Sequence, residues 1–239
     1  MHRFVARNIA ANLFAALLII AGSRAQQPDA AAVIRDLDAG NQARFDNVLS
    51  FSDIEHYRVY RGNDQTNPAA EMTVKMSYKK GVGKDFVIVK QSGSSVIQKF
   101  GLEPLLVNEK SLNDPAIVAQ TWFTSANYEM HLKPGASRTI DGRQCLAISI
   151  SPYRKAPNLI DGTIWVDART HTLAEVEGVA SKSPSVFAKT TRMMRRYTDM
   201  HGYAMAVHAR AESSSLFFGK TVVLIDYSDY HFQLRPSTK

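Results

Sequence analysis

Glu175 and Glu177 are the nearest thing in this chain to a catalytic pair, since residues two apart on a strand share one face. Two carboxylates so placed can divide the roles of acid and base. The basic stretch Lys182, Lys189, Arg192, Arg195 and Arg196 follows closely and can pair with them across strands. An antiparallel sheet carries such charges on its wet face, so the acids read as surface charge rather than as a site. Histidines stand at His56, His131, His171, His201, His208 and His231, with no two at ligand spacing. Asp53 and His56 lie three apart in a strand-like stretch, which puts them on opposite faces. Ser92-Gly93-Ser94-Ser95 sits in a turn, without the strand-to-helix setting of a nucleophile elbow. The sequence has no Cys-x-x-Cys, no His-Glu-x-x-His and no phosphate-binding glycine loop. Cys145 has no second cysteine to pair with and, within Gln144-Cys145-Leu146-Ala147-Ile148, reads as a small buried apolar residue. The expectation is a protein with no catalytic residue, no metal and no cofactor.

Methionine points elsewhere. Met72 and Met76 share one strand face, and Met193, Met200 and Met205 lie on later strands. Flexible thioethers suit an adaptable apolar cavity, and they also fill ordinary cores.

The elements that must hold these residues begin after an export signal. Arg3 and Arg7 precede an apolar run from Ile9 to Ala21, and Ser23-Arg24-Ala25 supplies small residues before a cut after Ala25. The run is too short to span a membrane, and no later stretch is apolar enough. With Cys145 far downstream, no cysteine follows the cut to receive a lipid. The formal charge of +7 falls when Arg3, Arg7 and Arg24 leave, which is too little positive charge to suggest nucleic acid.

Val33, Ile34, Leu37, Phe45, Val48 and Leu49 fall at helical spacing within residues 29–49, with Asp29 as N-cap and Gly40-Asn41 as a kink or break. Strand-like stretches follow at Ser52–Arg61, Met72–Lys80, Lys84–Gln91 and Ser95–Phe100. Two short helices are expected at Leu102–Lys110 and Asp114–Trp122, the latter with Asp114 as cap and Pro115 in its first turn. Strands resume at Tyr128–Lys133, Gln144–Pro152, Gly162–Asp167, Leu173–Ala180, Ala188–Met200, Tyr203–Ser215 and Thr221–Tyr230. The links are short, so simple up-and-down antiparallel order is expected. A sheet of about ten strands must curl, and the helical segments are what can cover its concave face. Strands apolar on both faces, Phe86-Val87-Ile88-Val89 and Ile164-Trp165-Val166, are expected beneath the helices. The fold class is therefore mainly β: an incomplete antiparallel half-barrel of about ten or eleven strands with helices over its concave face.

One stretch runs from Tyr128-Glu129-Met130-His131-Leu132-Lys133-Pro134 through Asp141-Gly142-Arg143 to Asp161-Gly162-Thr163-Ile164-Trp165-Val166-Asp167. It continues to Leu173-Ala174-Glu175-Val176-Glu177-Gly178, and the chain closes with Ile225-Asp226-Tyr227-Ser228-Asp229-Tyr230. With the overall order, these segments resemble the LolA/LolB-like superfamily, the periplasmic carriers and sorters of outer-membrane lipoproteins. The resemblance implies a half-barrel closed by helices that holds acyl chains in an apolar cavity, here as a soluble carrier. Family carriers hold the lid with an arginine from an early Arg-Pro. The matching region here reads Tyr78-Lys79-Lys80-Gly81, without that Arg-Pro, which leaves Arg58 or Arg61 as the candidates to substitute for it.

The expected organisation is a signal peptide at 1–25, one half-barrel domain at 26–234 and a flexible tail at 235–239. The cavity residues expected from strands and helices together are Met72, Met76, Phe86, Ile88, Leu105, Leu106, Trp122, Trp165 and Val176. The expected ligand is an acylated lipoprotein or lipid in the periplasm, with inner-membrane release and outer-membrane acceptor proteins as partners and no nucleic acid. The alternative is a non-catalytic interaction or sensor module on the same fold, binding through its sheet edges.

Overall fold

The computed structural model describes residues 28–156, 158–182, 188–215 and 219–236. The expected signal at 1–25 and residues 237–239 of the expected tail lie outside them. Helix α1, Ala30–Asn47, starts where the Asp29 carboxylate accepts the Ala31 N–H and passes through Gly40 without a break. It runs directly into strand β1, Val48–Arg61, followed by β2, Ala70–Lys79, and β3, Gly83–Gly93. Helix α2, Ser95–Ile97, passes through a wider turn at Gln98–Leu102 into α3, Glu103–Leu112. A single 3-10 turn at Val118–Thr121 leads to β4, Tyr128–Ile140, and β5, Arg143–Pro152. Next come β6, Ile160–Asp167, β7, Leu173–Ala180, β8, Ala188–Met200, β9, Tyr203–Ser215, and β10, Gly219–Leu234.

All ten strands form one open sheet in the order β3-β2-β1-β10-β9-β8-β7-β6-β5-β4, every described pair antiparallel. The expected simple up-and-down order needs one correction. The chain walks from β1 out to the β3 edge, crosses through α2 and α3, and restarts at the opposite edge with β4. From there it returns strand by strand until β10 closes on β1, pairing from Val48↔Leu234 to Arg61↔Thr221. Two hairpins on the return leg turn through paired left-handed residues, Asp141-Gly142 and His201-Gly202, the conformation that matches strand twist.

Other expectations change with the same crossover. Ser95–Phe100 is helical, because the Ser94 hydroxyl accepts the Ile97 N–H and the Gln98 amide donates to the carbonyls of Glu71 and Ser92. These bonds outweigh the strand preference of its β-branched residues. The helix expected at Asp114–Trp122 shrinks to the 3-10 turn, with Asp114 accepting the Ala116 N–H. Strand β4 runs on through Pro134-Gly135, absorbed as an irregularity between Leu132 and Ser137. Val87 and Val89 are each 62% exposed, not covered by helices, because β3 is an edge strand.

The helices divide the concave face into two apolar halves. Val33, Ile34 and Leu37 of α1 pack on Tyr128, Met130, Ile148, Ile150, Ile164 and Val176 of the return leg. Asp36 bonds His171, Asp38 bonds Ser125 and Asn41 bonds the Phe123 carbonyl, fixing this helix across the sheet. Leu102, Leu105 and Leu106 of the second helical layer pack on Tyr57, Met72, Val74 and Phe86. The outer face holds the acids of β7: Arg138 donates to Glu175 and Glu177, and Arg196 to Glu175. No helix among the described residues is long and apolar enough to cross a membrane.

Candidate ligand site between sheet and helices

Strand β1 alternates from Phe51 to Val59. Phe51, Asp53, Glu55, Tyr57 and Val59 are buried on the concave side, and Ser52, Ile54, His56 and Arg58 are less so on the other. This period of two carries two acids into the interior, where Asp53 is 2% and Glu55 0% exposed. Burial raises Asp53 to about 6 and Glu55 to about 7, against the pull of Lys84 in each case. The Tyr57 hydroxyl donates to Glu55.

Lys84 enters from β3, whose pairing places it beside Tyr78. Its ammonium donates to the Glu109 carboxylate of α3 and lies 3.9 Å from Glu55. Burial pushes Glu109 upward, and Lys84 together with Arg195 outweighs it and holds the carboxyl below its ordinary value. One ammonium thus serves two acids, and the helix carries the better-paired one. Lys110 of α3 adds a second, exposed bond to Asp85 of β3 at 2.8 Å.

Two arginines face the same space. Arg195 of β8 lies between Met193 and Tyr197, which pack on the α1 core, so alternation turns it to the concave side. It remains open to water, yet its electrostatic neighbours are Tyr227 of β10, Tyr197, Glu109 of α3 and Glu55 of β1. Arg44, in the last turn of α1, donates from Nε to the Met205 sulfur at 3.3 Å and lies 6.0 Å from the Phe51 ring centre. Burial lowers its pKa, and nearby Arg195 pushes the same way. Three buried polar atoms beside these groups have no hydrogen-bond partner among the described residues: Asp53 Oδ1, Glu55 Oε1 and the Tyr227 hydroxyl.

A cavity of about 680 Å³ opens at this end of the sheet. Phe51, Tyr78, Phe232 and Lys84 line it, with Lys79, Lys110 and His231 also on its walls. Phe51 stands 5.1 Å from Tyr78 and 6.0 Å from Phe232, centre to centre, so one side is an aromatic cluster. No group of three or more His, Cys, Asp or Glu placed to hold a metal occurs among the described residues.

Of the residues expected from the sequence, Met72, Leu106, Phe86 and Leu105 come together beneath α3. Met76 joins the neighbouring cluster of Phe51 and Met205. Val176 lies in the other half, under α1, and Trp122 meets Phe45 at a tilt, ring centres 4.7 Å apart. Ile88 is 42% exposed at the edge. Trp165 turns to the outer face, where Arg138 covers its ring and its indole N–H donates to Glu177. The physical reason is register: Ile164 and Val166 take the inner positions, so the residue between them points out. None of the nine lines the cavity itself. The polar groups that converge here were absent from the expected set. Their one local signal is the acids at 53 and 55 in phase with Phe51 and Tyr57.

Fold and interior together define an open antiparallel half-barrel whose concave face is covered by two helical layers, the second tied to the sheet through a buried charged cluster. The chain is similar in structure to a LolA superfamily protein from Nitrosomonas europaea, with 13% identity, 87% of this chain and 96% of that one covered, and a TM-score of 0.44. It is similar to a DUF1329 family protein from Desulfovibrio piger, at 13% identity, 87% and 95% coverage and a TM-score of 0.44. An outer membrane lipoprotein-sorting protein domain from Vibrio parahaemolyticus gives 14% identity, 85% and 92% coverage and a TM-score of 0.45. No family model matches the sequence. No curated protein matches it either.

Proposed function

We propose that the protein is an exported, non-catalytic carrier of the periplasm. It holds the acyl chains of a lipoprotein or lipid between the sheet and the α2–α3 layer, on the way to the outer membrane. The observation that carries this reading is the apolar contact of Leu102, Leu105 and Leu106 with Met72, Val74 and Phe86, beside an aromatic-lined cavity of about 680 Å³. The helix making that contact is joined to the sheet by short polar bonds at Lys84 and Asp85. When α3 lifts, an acyl chain takes the place of the leucine side chains. Each methylene buried returns about 0.8 kcal/mol. Methionines at 72 and 76 adapt their shape to chains of different length.

Native mass spectrometry with lipid extraction, on mature protein purified gently from its own envelope, tests the proposal. A discrete bound mass of acylated material is expected. Protein that stays empty and takes up no added lipid or acylated peptide overturns it.

A second reading, an interaction module, is favoured by the β3 edge. Val87, Ile88 and Val89 lie exposed there, with Val96, Phe100 and Val107 exposed on the adjoining helices. An open edge with apolar side chains is suited to pairing with a strand from a partner. New hydrogen-exchange protection confined to β3 amides, on adding envelope proteins, is the result that would favour it.

A further inference from the structure

Single apolar side chains on a surface are ordinary, whereas a concentration of them marks a contact. Among the described residues nine large apolar side chains stand exposed, and eight of them fall between Val82 and Ile117. That stretch forms one flank of the molecule. Helices α2 and α3 run antiparallel alongside β3: the Gln91 amide meets Gln98 and Glu103, Lys84 bonds Glu109, and Lys110 bonds Asp85. Leu102, Leu105 and Leu106 use up the inward side of these helices. Val96, Phe100 and Val107 point away from it and are 58%, 74% and 67% exposed. With exposed Pro104 they recur about once per turn along the layer. Lysines accompany them. From Met72 to Leu102 the chain carries six lysines and one acid, Asp85, which Lys110 already holds. Lys84 turns inward to Glu109 and Lys80 meets Asp46. The other four, Lys75, Lys79, Lys90 and Lys99, are exposed, and none has a carboxylate partner among the described residues. Lys75 lies opposite Val87 in the β2–β3 ladder, and the Lys99 ammonium is 5.8 Å from the Phe100 ring centre.

We infer that this flank docks on an anionic bilayer surface, with Val96, Phe100 and Val107 among the acyl chains and Lys90 and Lys99 at the headgroups. Side chains raised along a helix suit a yielding apolar layer, whereas a folded protein partner must offer a matching shape. Lysine fits the border because its stem lies along apolar surface while its ammonium stays with the headgroups. The excess of lysine over acid selects acidic headgroups, since each lysine brought to such a surface tightens binding about fivefold. This goes beyond the carrier reading and does not depend on what the interior holds. Where both are true, the bonds that fasten α3 to β3 lie on the docked flank.

The test is flotation of the mature protein with vesicles, either phosphatidylglycerol and phosphatidylcholine in equal parts or phosphatidylcholine alone. Binding to the anionic vesicles is expected to be about tenfold to a hundredfold tighter. Phe100→Ser combined with Val107→Ser should weaken it about tenfold or more. Lys90→Gln combined with Lys99→Gln should remove most of the preference for anionic lipid. Tyr153→Ser, at the exposed apolar residue outside the flank, should change nothing. If a variant does not fold, hydrogen exchange on the unaltered protein decides, with anionic vesicles protecting the amides of residues 95–107. Failure to float with either vesicle overturns the inference, and so does equal flotation with both. Full flotation of the Phe100 and Val107 double variant overturns the assignment to this flank. A dimer that forms without flotation and is dissolved by Phe100→Ser overturns it in favour of a second copy. Protection of β3 by envelope proteins, without flotation, overturns it in favour of a protein partner. Protein that stays soluble yet carries an acyl mass overturns docking and leaves the carrier reading standing.

Discussion

The Lys84 ammonium of β3 bonds the Glu109 carboxylate of α3 at 2.5 Å, with both side chains only 13% exposed. This pair joins the second helical layer to the edge strand over which it lies. A buried ion pair contributes little net stability against an apolar pair of the same shape, whereas breaking it leaves a bare charge in the interior. The bond therefore acts as a fastening whose release is sensitive to chemistry at either end.

Lys84→Met is expected to lower unfolding stability by about 3 kcal/mol, since it leaves Glu109 and Glu55 without their common cation. Urea denaturation measures that loss. Hydrogen exchange adds a local readout: amides of α3 should exchange faster while those of α1 hold. Unchanged exchange in α3 would show that the pair does not fasten the helix.

The buried acids give stability a pH dependence of definite sign. Burial raises Asp53 from 3.8 to about 6 and Glu55 from 4.5 to about 7 in the fold, with Lys84 opposing and Glu109 assisting in both. Their contribution is fully present below the unfolded values and is lost as pH rises from about 4 to about 7. Glu109 and Asp226, held low, act oppositely and lose their contribution as pH falls through the acid range. Asp53→Asn should flatten the upper window by up to about 3 kcal/mol. The check is a series of urea midpoints from pH 4 to 8; a midpoint that rises steadily to pH 8 in the wild type contradicts the assignment.

Two glycines differ in what a methyl group would meet. Gly162 and Gly178 are partners across β6 and β7, and a Cβ on Gly178 would stand 2.3 Å from the Asp161 carbonyl oxygen. Gly178→Ala is expected to destabilise by about 2 kcal/mol. Gly40 lies in α1 with nothing within 4 Å of such a Cβ, so Gly40→Ala should stabilise by about 1 kcal/mol. Paired denaturation curves test both, and effects of the same sign would refute the packing argument.

Cys145 is fully buried beside Ile140, Ala174 and Trp165, and burial raises its thiol pKa. Thiol reagents should modify it only as fast as the protein opens. Rapid labelling under native conditions would place the outer face of β5 in the mobile part of the fold.

Much of this architecture is written locally. The strand-forming composition of Leu173–Ala180, Ala188–Met200 and Tyr203–Ser215, set off by short linkers, marks three strands at their observed bounds, because strand preference and turn chemistry act over a few residues. The helical stripe of α1 and the role of Asp29 are legible for the same reason. Opposite faces for Asp53 and His56 also follow from period alone. What the chain order could not supply is the crossover that carries the backbone from the β3 edge to the β4 edge. That step decides that Val87 and Val89 are exposed and that Ser95–Phe100 turns into a helix. It also brings Lys84 under Glu109. Electrostatics acts through space at a few ångströms, and the spacing between charged groups is set by pairing across the whole sheet. Hence the strands and helices were determined by the sequence read locally, while the buried cluster of Lys84, Glu109 and Glu55 was decided by the tertiary structure.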